Sequence, residues 1–406
     1  MVQSIAVIGA GTMGAGIAQL AAIQGCTVYL LDIRPEFVQR GIENIKSSLN
    51  RSVEKGKLIE ADRNSILNRV TPVDTMTRRC SLPDVELAIE AVVEDLEVKR
   101  EVFQQLEQAT PAGAVLATNT SSLSVSTIAE AVVDSSRVVG MHFFNPVAVM
   151  PLVEVIAGRM SDRKAIDLAV GTAKAWGKTP VVAKDTPGFI VNRVARGYYL
   201  EALRLLGEGV AGVDEIDNIM RVHGGFKMGP FELMDLVGLD VNLAVSTSVW
   251  EQMNKHPRFK PNDIQKKLVA DGNLGRKTGR GFYSYADQHP LPAFVVDRRS
   301  FQLSPLLGDA VRTFAERAGA GRAGITEQYI VARILGAILN EAGYAFCENV
   351  ATREDIDVAM MKGTNYPKGP LAWAEEIGHR TVRGVLKGLN TSVAPGSYEA
   401  ASLFAE

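Results

Sequence analysis

The chain has 406 residues, 46% of them apolar and 22% charged, with 44 Lys and Arg against 46 Asp and Glu and a net charge of −2. That length calls for two or three domains with ample core, and the lack of a basic surplus argues against a protein that works by binding nucleic acid through a basic face.

The first strand pattern begins at Ser4, which leaves no room for a signal peptide, and no apolar run reads as a membrane span. Cys26, Cys80 and Cys347 show no CxxC spacing, and His142, His223, His256, His289 and His379 include no metal pair. The expectation is therefore a cytoplasmic protein with reduced thiols, no metal site, and neither membrane nor nucleic acid as partner.

Ser4-Ile-Ala-Val-Ile-Gly-Ala-Gly-Thr-Met-Gly14 reads as a strand, a tight glycine turn and the start of a helix. The next apolar run, Thr27-Val-Tyr-Leu-Leu31, ends on Asp32, 23 residues after Gly9. This is the spacing of a βαβ dinucleotide site. Gly9 permits the turn, Gly11 lets backbone amides approach a pyrophosphate, and Gly14 lets helix and strand pack closely. The helix start, with Thr12 and Met13, then offers N–H groups and a positive dipole end to the phosphates. Asp32 is placed to accept both ribose hydroxyls of NAD and to repel a 2′-phosphate, although Arg34 stands near enough to weaken that exclusion.

Apolar runs at Ile5–Ile8, Val28–Leu31, Leu87–Val92, Val115–Ala117, Val138–His142 and Leu152–Ile156 lack strict polar alternation. They predict a parallel sheet buried on both faces over residues 1–185. A helical hairpin at about 34–69 interrupts it, with eight Lys or Arg against five Asp or Glu. Most of those charges need only be solvated, but together they also suit a clasp for a phosphate-bearing substrate. Pro187-Gly188 breaks the chain, and almost everything after it is helical.

Residues 190–238 and 330–378 match at a fixed shift of 140 with 14 identities in 49 positions, where unrelated segments give about three. The matches include Arg193/Arg333, Glu201/Glu341, Asp217/Asp357, Gly229-Pro230/Gly369-Pro370 and Gly238/Gly378. A duplicated helical domain is the expectation. The domains are then 1–185, 186–285, a polar linker at 286–321, and a second, truncated repeat at 322–406.

Four polar residues are candidates for one site. Ser121 follows the strand Val115–Ala117, His142 ends the strand Val138–Met141, Glu154 lies in the next strand, and Asn192 follows the Pro-Gly break. Ser121 and His142 fall at carboxyl ends of strands, where open α/β sheets bind ligands. Singly, each has a plain structural explanation: a satisfied core histidine, an edge charge, or a helix cap.

These motifs resemble the L-3-hydroxyacyl-CoA dehydrogenase family, which includes 3-hydroxybutyryl-CoA dehydrogenases. The strings are Gly9-Ala-Gly-Thr-Met-Gly14, Ala88-Ile-Glu-Ala-Val-Val-Glu-Asp95, Thr118-Asn-Thr-Ser-Ser-Leu123, Gly140-Met-His-Phe-Phe-Asn-Pro146 and Pro151-Leu-Val-Glu-Val155. Asp185-Thr-Pro-Gly-Phe-Ile-Val-Asn-Arg193, Met228-Gly-Pro-Phe-Glu-Leu233 and Gly275-Arg-Lys-Thr-Gly-Arg-Gly-Phe-Tyr283 continue them in order. The implied fold is an α/β Rossmann-type dinucleotide-binding domain followed by two tandem all-α domains of the same type.

The implied activity is NAD-dependent oxidation of (S)-3-hydroxyacyl-CoA to 3-oxoacyl-CoA, or the reverse. By the resemblance His142 is the general base, Glu154 orients it, and Ser121 and Asn192 hold substrate oxygens. Glu94, Lys99 and Asn119 join Gly9, Gly11, Thr12, Met13, Gly14 and Asp32 in binding NAD. The basic hairpin, with Lys55 and Lys57 as candidates, contacts the coenzyme A phosphates.

The family's short form has one helical domain and dimerises through it, so the tandem copy stands in for that partner, leaving a monomer or a homodimer open. In the second copy Ala332 replaces Asn192, so no second active site is expected. Longer members act in fatty-acid β-oxidation and aromatic degradation, including that of phenylacetate. 3-Hydroxybutyryl-CoA and 3-hydroxyadipyl-CoA both stay open as substrates. The alternatives are a β-hydroxyacid or sugar-acid dehydrogenase, or a non-catalytic, crystallin-like NAD-binding protein.

Overall fold

The computed structural model describes residues 2–73, 81–287, 289–300 and 302–405, so Cys80 lies outside the described residues. The chain divides into two compact units, Met1–Phe189 and Ile190–Glu406.

In the first unit strands and helices follow as β1 (Ser4–Ile8), α1 (Thr12–Ile23), β2 (Thr27–Leu31), α2 (Pro35–Glu54), α3 (Glu60–Asn68), β3 (Val70–Val73) and β4 (Leu87–Glu90). Then come α4 (Leu96–Ala109), β5 (Val115–Thr118), α5 (Val125–Ala129), β6 (Val138–Phe143), β7 (Leu152–Ala157), α6 (Arg163–Ala175) and β8 (Thr179–Lys184). The sheet order is β3-β2-β1-β4-β5-β6-β7-β8. The chain runs outward from β1 one way and from β4 the other, so the switch point, where such sheets bind ligands, lies between β1 and β4.

The sheet is not wholly parallel, as the sequence pattern had implied. β6 and β7 pair antiparallel, with His142 opposite Glu154. The connection at 144–151 carries no crossover helix, and a parallel return needs one. Two strands absent from the sequence reading, β3 and β8, form the two edges. Each contains a proline, Pro72 and Pro180, whose missing N–H is tolerated only at an edge.

Apolar side chains fill both faces. On one, Ile17, Ala18 and Ala21 of α1, Ile45 and Leu49 of α2, and Ala169 and Ala173 of α6 join the core. On the other, Phe103 and Leu106 of α4 pack with Val125, Ile128 and Phe189. The helices α2 and α3 form the expected hairpin, tied by Arg63 Nη1 donating to Asn50 Oδ1 at 3.1 Å.

The second unit is helical: α7 (Val191–Val194), α8 (Arg196–Gly207), α9 (Val213–Val222), α10 (Pro230–Val237), α11 (Leu239–Gln252), α12 (Asp263–Ala270), α13 (Pro305–Arg317), α14 (Ile325–Cys347), α15 (Arg353–Gly363), α16 (Pro370–Ile377) and α17 (His379–Ser392). Its compactness merges what the sequence had divided at 286–321. The middle of that stretch is not a linker but α13, capped by Ser304 and burying Leu307, Val311 and Phe314. The i, i+4, i+7 spacing of those three was the overlooked signal.

Contacts recur at the 140-residue shift. Asp217 accepts the backbone N–H of Phe231 and Glu232 at 2.9 Å each, and Asp357 accepts those of Leu371 and Ala372 at 2.7 and 3.0 Å. Gly238 and Gly378 end α10 and α16 with φ of +103° and +88°, a region glycine enters without penalty.

α14 is long and apolar enough by length and composition to cross a membrane, although Glu327, Arg333 and Glu341 keep it from being one unbroken apolar run. Its most apolar stretch is 78% buried inside the unit, as suits a core helix. A Cβ on Gly197 of α8 would come within 2.9 Å of the Ile338 nitrogen of α14, so glycine permits this close crossing.

Candidate active site

The glycine turn at the end of β1 has three distinct constraints. Gly9 adopts φ +97°, and a Cβ there would stand 2.5 Å from the Ala91 carbonyl oxygen. A Cβ on Gly14 would strike the Gly9 carbonyl, whereas around Gly11 the space is open. The first rung of α1 is Ala15 N–H to Gly11 O at 2.9 Å, so the N–H groups of Thr12, Met13 and Gly14 precede the ladder. Asp32 sits across the turn. Its Oδ2 accepts the Ala10 N–H at 2.6 Å and its Oδ1 that of Ile33 at 2.7 Å. Each oxygen keeps a further lone pair for a ribose hydroxyl. Arg34 is exposed, with its guanidinium 5.7 Å from the Phe37 ring centre.

An open glycine cradle, a helix start and a half-buried carboxylate fit a dinucleotide.

At the tips of β4 and β5 a polar network shapes the loop that carries Ser121. Glu90 is fully buried and meets Lys99 Nζ at 2.6 Å and Thr118 Oγ1 at 2.7 Å. Lys99, also buried, reaches Glu94 Oε2 at 3.3 Å. Glu94 Oε1 in turn accepts Thr120 Oγ1 at 2.6 Å, Ser121 N at 2.9 Å, Ser122 N at 3.0 Å and Ser122 Oγ at 2.9 Å. Burial pushes the Glu94 carboxyl up, but the Lys99 ammonium and these donors outweigh it and hold it below the usual range. Asn119 Oδ1 accepts the Phe143 N–H at 2.8 Å, bracing the tip of β5 against that of β6.

His142 is buried at the end of β6, its Nδ1 2.7 Å from Glu154 Oε2. The antiparallel register sets this pair face to face. A carboxylate on Nδ1 selects the tautomer with hydrogen there, which leaves Nε2 as the nitrogen able to take a proton. Aromatic rings pack around the imidazole, Phe144 with its centre at 4.5 Å and Phe189 at 6.0 Å. Phe189 itself adopts φ +47° after Gly188 at +74°.

The first unit thus brings together His142, Glu154, Asn119, Ser121 and Glu94. Lys99 lies beneath Glu94, enclosed by carboxylates, and reaches the loop through it. Lys55 and Lys57 are exposed at the turn between α2 and α3. Asn192 belongs to α7 in the second unit, where its carbonyl accepts Arg196 Nε at 2.9 Å; its counterpart Ala332 is fully buried in α14. Sequence reasoning assigned no role to Glu90, Thr118, Thr120 or Ser122. A glutamate ending the apolar run Leu87-Ala-Ile-Glu90, nine residues before Lys99, was the available signal.

The 3-hydroxyacyl-CoA dehydrogenase NAD-binding domain matches residues 4–186, and the 3-hydroxyacyl-CoA dehydrogenase C-terminal domain matches residues 188–285 and 329–406. The chain belongs to the 3-hydroxyacyl-CoA dehydrogenase family. It is similar to the 3-hydroxyadipyl-CoA dehydrogenase of Escherichia coli K12, 36% identical over 99% of this chain and 96% of that one. The human mitochondrial hydroxyacyl-coenzyme A dehydrogenase is 42% identical over 70% of this chain and 92% of its own length. Among solved structures, a 3-hydroxybutyryl-CoA dehydrogenase from Escherichia coli K12 superposes with TM-score 0.88 at 36% identity, covering 100% of this chain and 98% of that one. An (S)-3-hydroxybutyryl-CoA dehydrogenase from Ralstonia eutropha gives 0.67 at 38% identity, covering 71% of this chain and all of its own. As a family member the chain is an oxidoreductase with NAD as cofactor.

Proposed function

We propose that the protein interconverts (S)-3-hydroxyacyl-CoA and 3-oxoacyl-CoA, with His142 as general base. The observation that carries this reading is the buried His142–Glu154 pair at the carboxyl end of β6. Bound NAD supplies the hydride acceptor at C3 of the substrate. His142 Nε2 takes the proton of the 3-hydroxyl, and Glu154 holds the Nδ1–H and stabilises the imidazolium that forms. Ser121 and Asn192 hold substrate oxygens, and Asn119 supports the cofactor side. Gly9, Gly11, Thr12, Met13, Gly14 and Asp32 bind NAD, while Glu94, with Lys99 behind it, fixes the Ser121 loop. Lys55 and Lys57 attract the phosphates of coenzyme A.

Residues 322–406 are, in this reading, a second copy of the 186–285 domain that serves as an internal partner. The two ranges matched by the C-terminal domain and the contacts repeated at a shift of 140 support it. Similarity to bacterial dehydrogenases supports a cytoplasmic enzyme.

The substrate class is short-chain 3-hydroxyacyl-CoA, including dicarboxylyl forms, because the relative matched over nearly the whole chain is a 3-hydroxyadipyl-CoA dehydrogenase. Initial rates of NADH oxidation with acetoacetyl-CoA, 3-oxoadipyl-CoA and free acetoacetate test it. Turnover of both thioesters and not of the free acid is expected; equal use of free acetoacetate would point instead to a hydroxyacid dehydrogenase.

A further inference from the structure

The helix that carries Asn192 is interrupted just after it. α7 ends at Val194 and α8 begins at Arg196, with Ala195 between them. The Tyr198 N–H turns back to the Ala195 carbonyl at 3.1 Å, a tightened i, i+3 bond. Tight turns of this kind inside a longer helix often mark a functional position. At the 140-residue shift the chain shows no such break, since residues 331–347 run uninterrupted within α14.

Arg196 stands at the break and ties it to α11. Its Nε donates to Asn192 O at 2.9 Å, and its Nη1 donates to Asn242 O at 3.2 Å and to Ser246 Oγ at 2.7 Å. The Tyr199 ring lies 5.0 Å from the guanidinium carbon. Gln265 braces Asn242 in turn, its Nε2 donating to Asn242 Oδ1 at 3.0 Å. Arg196, Asn242, Ser246 and Gln265 are all buried. The three acceptors of Arg196 are neutral, and a buried guanidinium is costly where apolar packing would serve.

The matching region shows that apolar packing does serve. Asn192, Arg196, Tyr199, Asn242 and Ser246 correspond to Ala332, Gly336, Leu339, Val382 and Leu386. A Cβ on Gly336 would lie 3.7 Å from Val385 Cγ1 and 4.0 Å from Leu386 Cδ2, so α14 packs on α17 through apolar groups alone. Arg193, by contrast, recurs as Arg333, and each pairs with a glutamate. The fold thus keeps Arg193 in both places, whereas the polar groups around Arg196 disappear together with Asn192.

We propose that Arg196 is a positioning residue for Asn192: its guanidinium fork locks the broken turn against α11 and so fixes where the Asn192 amide meets a substrate oxygen. This role rests on the substrate contact proposed above for Asn192. A group that orients a reacting oxygen is sensitive to displacements of about 1 Å.

The test measures kcat for NADH oxidation at saturating acetoacetyl-CoA, and NADH affinity by fluorescence, in the full-length wild type, Asn192→Ala, Arg196→Gln and the double variant. Asn192→Ala should lower kcat, and Arg196→Gln should lower it by at least about 10-fold with NADH affinity unchanged. In the Asn192→Ala background Arg196→Gln should cost no further kcat, because nothing is left to position. Should Arg196→Gln fail to fold, Arg196→Lys decides in the same cycle, since lysine keeps the charge but offers one nitrogen to acceptors that the fork reaches with two. A full-rate Arg196 variant beside an impaired Asn192→Ala, or an equal loss in both backgrounds, would overturn the proposal and leave Arg196 a structural group. Unchanged kcat in Asn192→Ala would instead overturn the substrate contact of Asn192, and the positioning role with it.

Discussion

His142 and Glu154 stand directly opposite each other across the antiparallel pair β6 and β7, with 2.7 Å between Nδ1 and the carboxylate. The strand reversal therefore builds the dyad, since a parallel return would not bring these two residues into register. Replacing Glu154 by Gln should leave the affinity for NADH nearly unchanged and lower kcat by about 10²-fold, because the amide cannot stabilise the imidazolium. Fluorescence titration of NADH beside steady-state rates checks this split. A loss confined to NADH binding would remove Glu154 from the proton-transfer step.

Asp32 should set the choice of cofactor. Its oxygens face the glycine turn through Ala10, where a 2′-phosphate would meet a like charge. NADH should be preferred to NADPH, and Asp32→Asn should narrow the ratio of kcat/KM by at least about 10-fold. Equal use of both cofactors by the wild type would show that Arg34 prevails.

Reciprocal ion pairs run through the helical unit, each buried arginine joining one buried and one exposed glutamate. Arg333 meets Glu201 at 2.8 Å and grips Glu208 through both terminal nitrogens, at 2.5 and 2.8 Å. Arg193, at the matching position, meets Glu341 and Glu348 at 2.6 Å each. Arg333→Met leaves Glu201 with only Arg204 and the Tyr398 hydroxyl, and the loss of one charge-assisted bond to it should cost about 1.5–3 kcal/mol. Adding Glu201→Gln should recover part of that loss. Urea unfolding of the two single variants and the double variant measures the coupling, and strict additivity would show that the pair is not coupled.

Asp217 gives the unit a pH dependence. Burial pushes its carboxyl up from 3.8 to about 7, despite the Phe231, Tyr283 and Glu232 donors. Between those values the unfolded chain has released the proton and the folded chain retains it, so stability falls as pH rises through this window and levels off above it. Asp217→Asn should flatten that slope. Urea midpoints at pH 5, 6, 7 and 8 follow it; identical slopes in both proteins would mean that Asp217 does not carry the effect.

The sequence carried the parts of the fold that local patterns encode. The turn Gly9 to Gly14, the acid at Asp32 and the central strands are legible because spacing alone constrains them. The edge strands β3 and β8 were not, because Pro72 and Pro180 read as breakers until their places at the rim are known. The antiparallel β7 was also hidden, since a buried apolar strand looks the same in either direction. That reversal is what pairs His142 with Glu154, so the resemblance supplied their partnership and the sheet supplied its geometry. Glu90 and Lys99 compensate each other only in three dimensions. Likewise α13 was concealed by polar and proline-rich flanks around a short amphipathic stretch.

The central claim is that His142 moves the proton in a CoA-thioester dehydrogenase. The most direct measurement is the rate of NADH oxidation with acetoacetyl-CoA by the wild type and by His142→Gln, each saturated with both substrates. The wild type should turn over, and the variant should bind NADH normally with kcat lowered by at least about 10²-fold. A variant with near wild-type kcat would contradict the account.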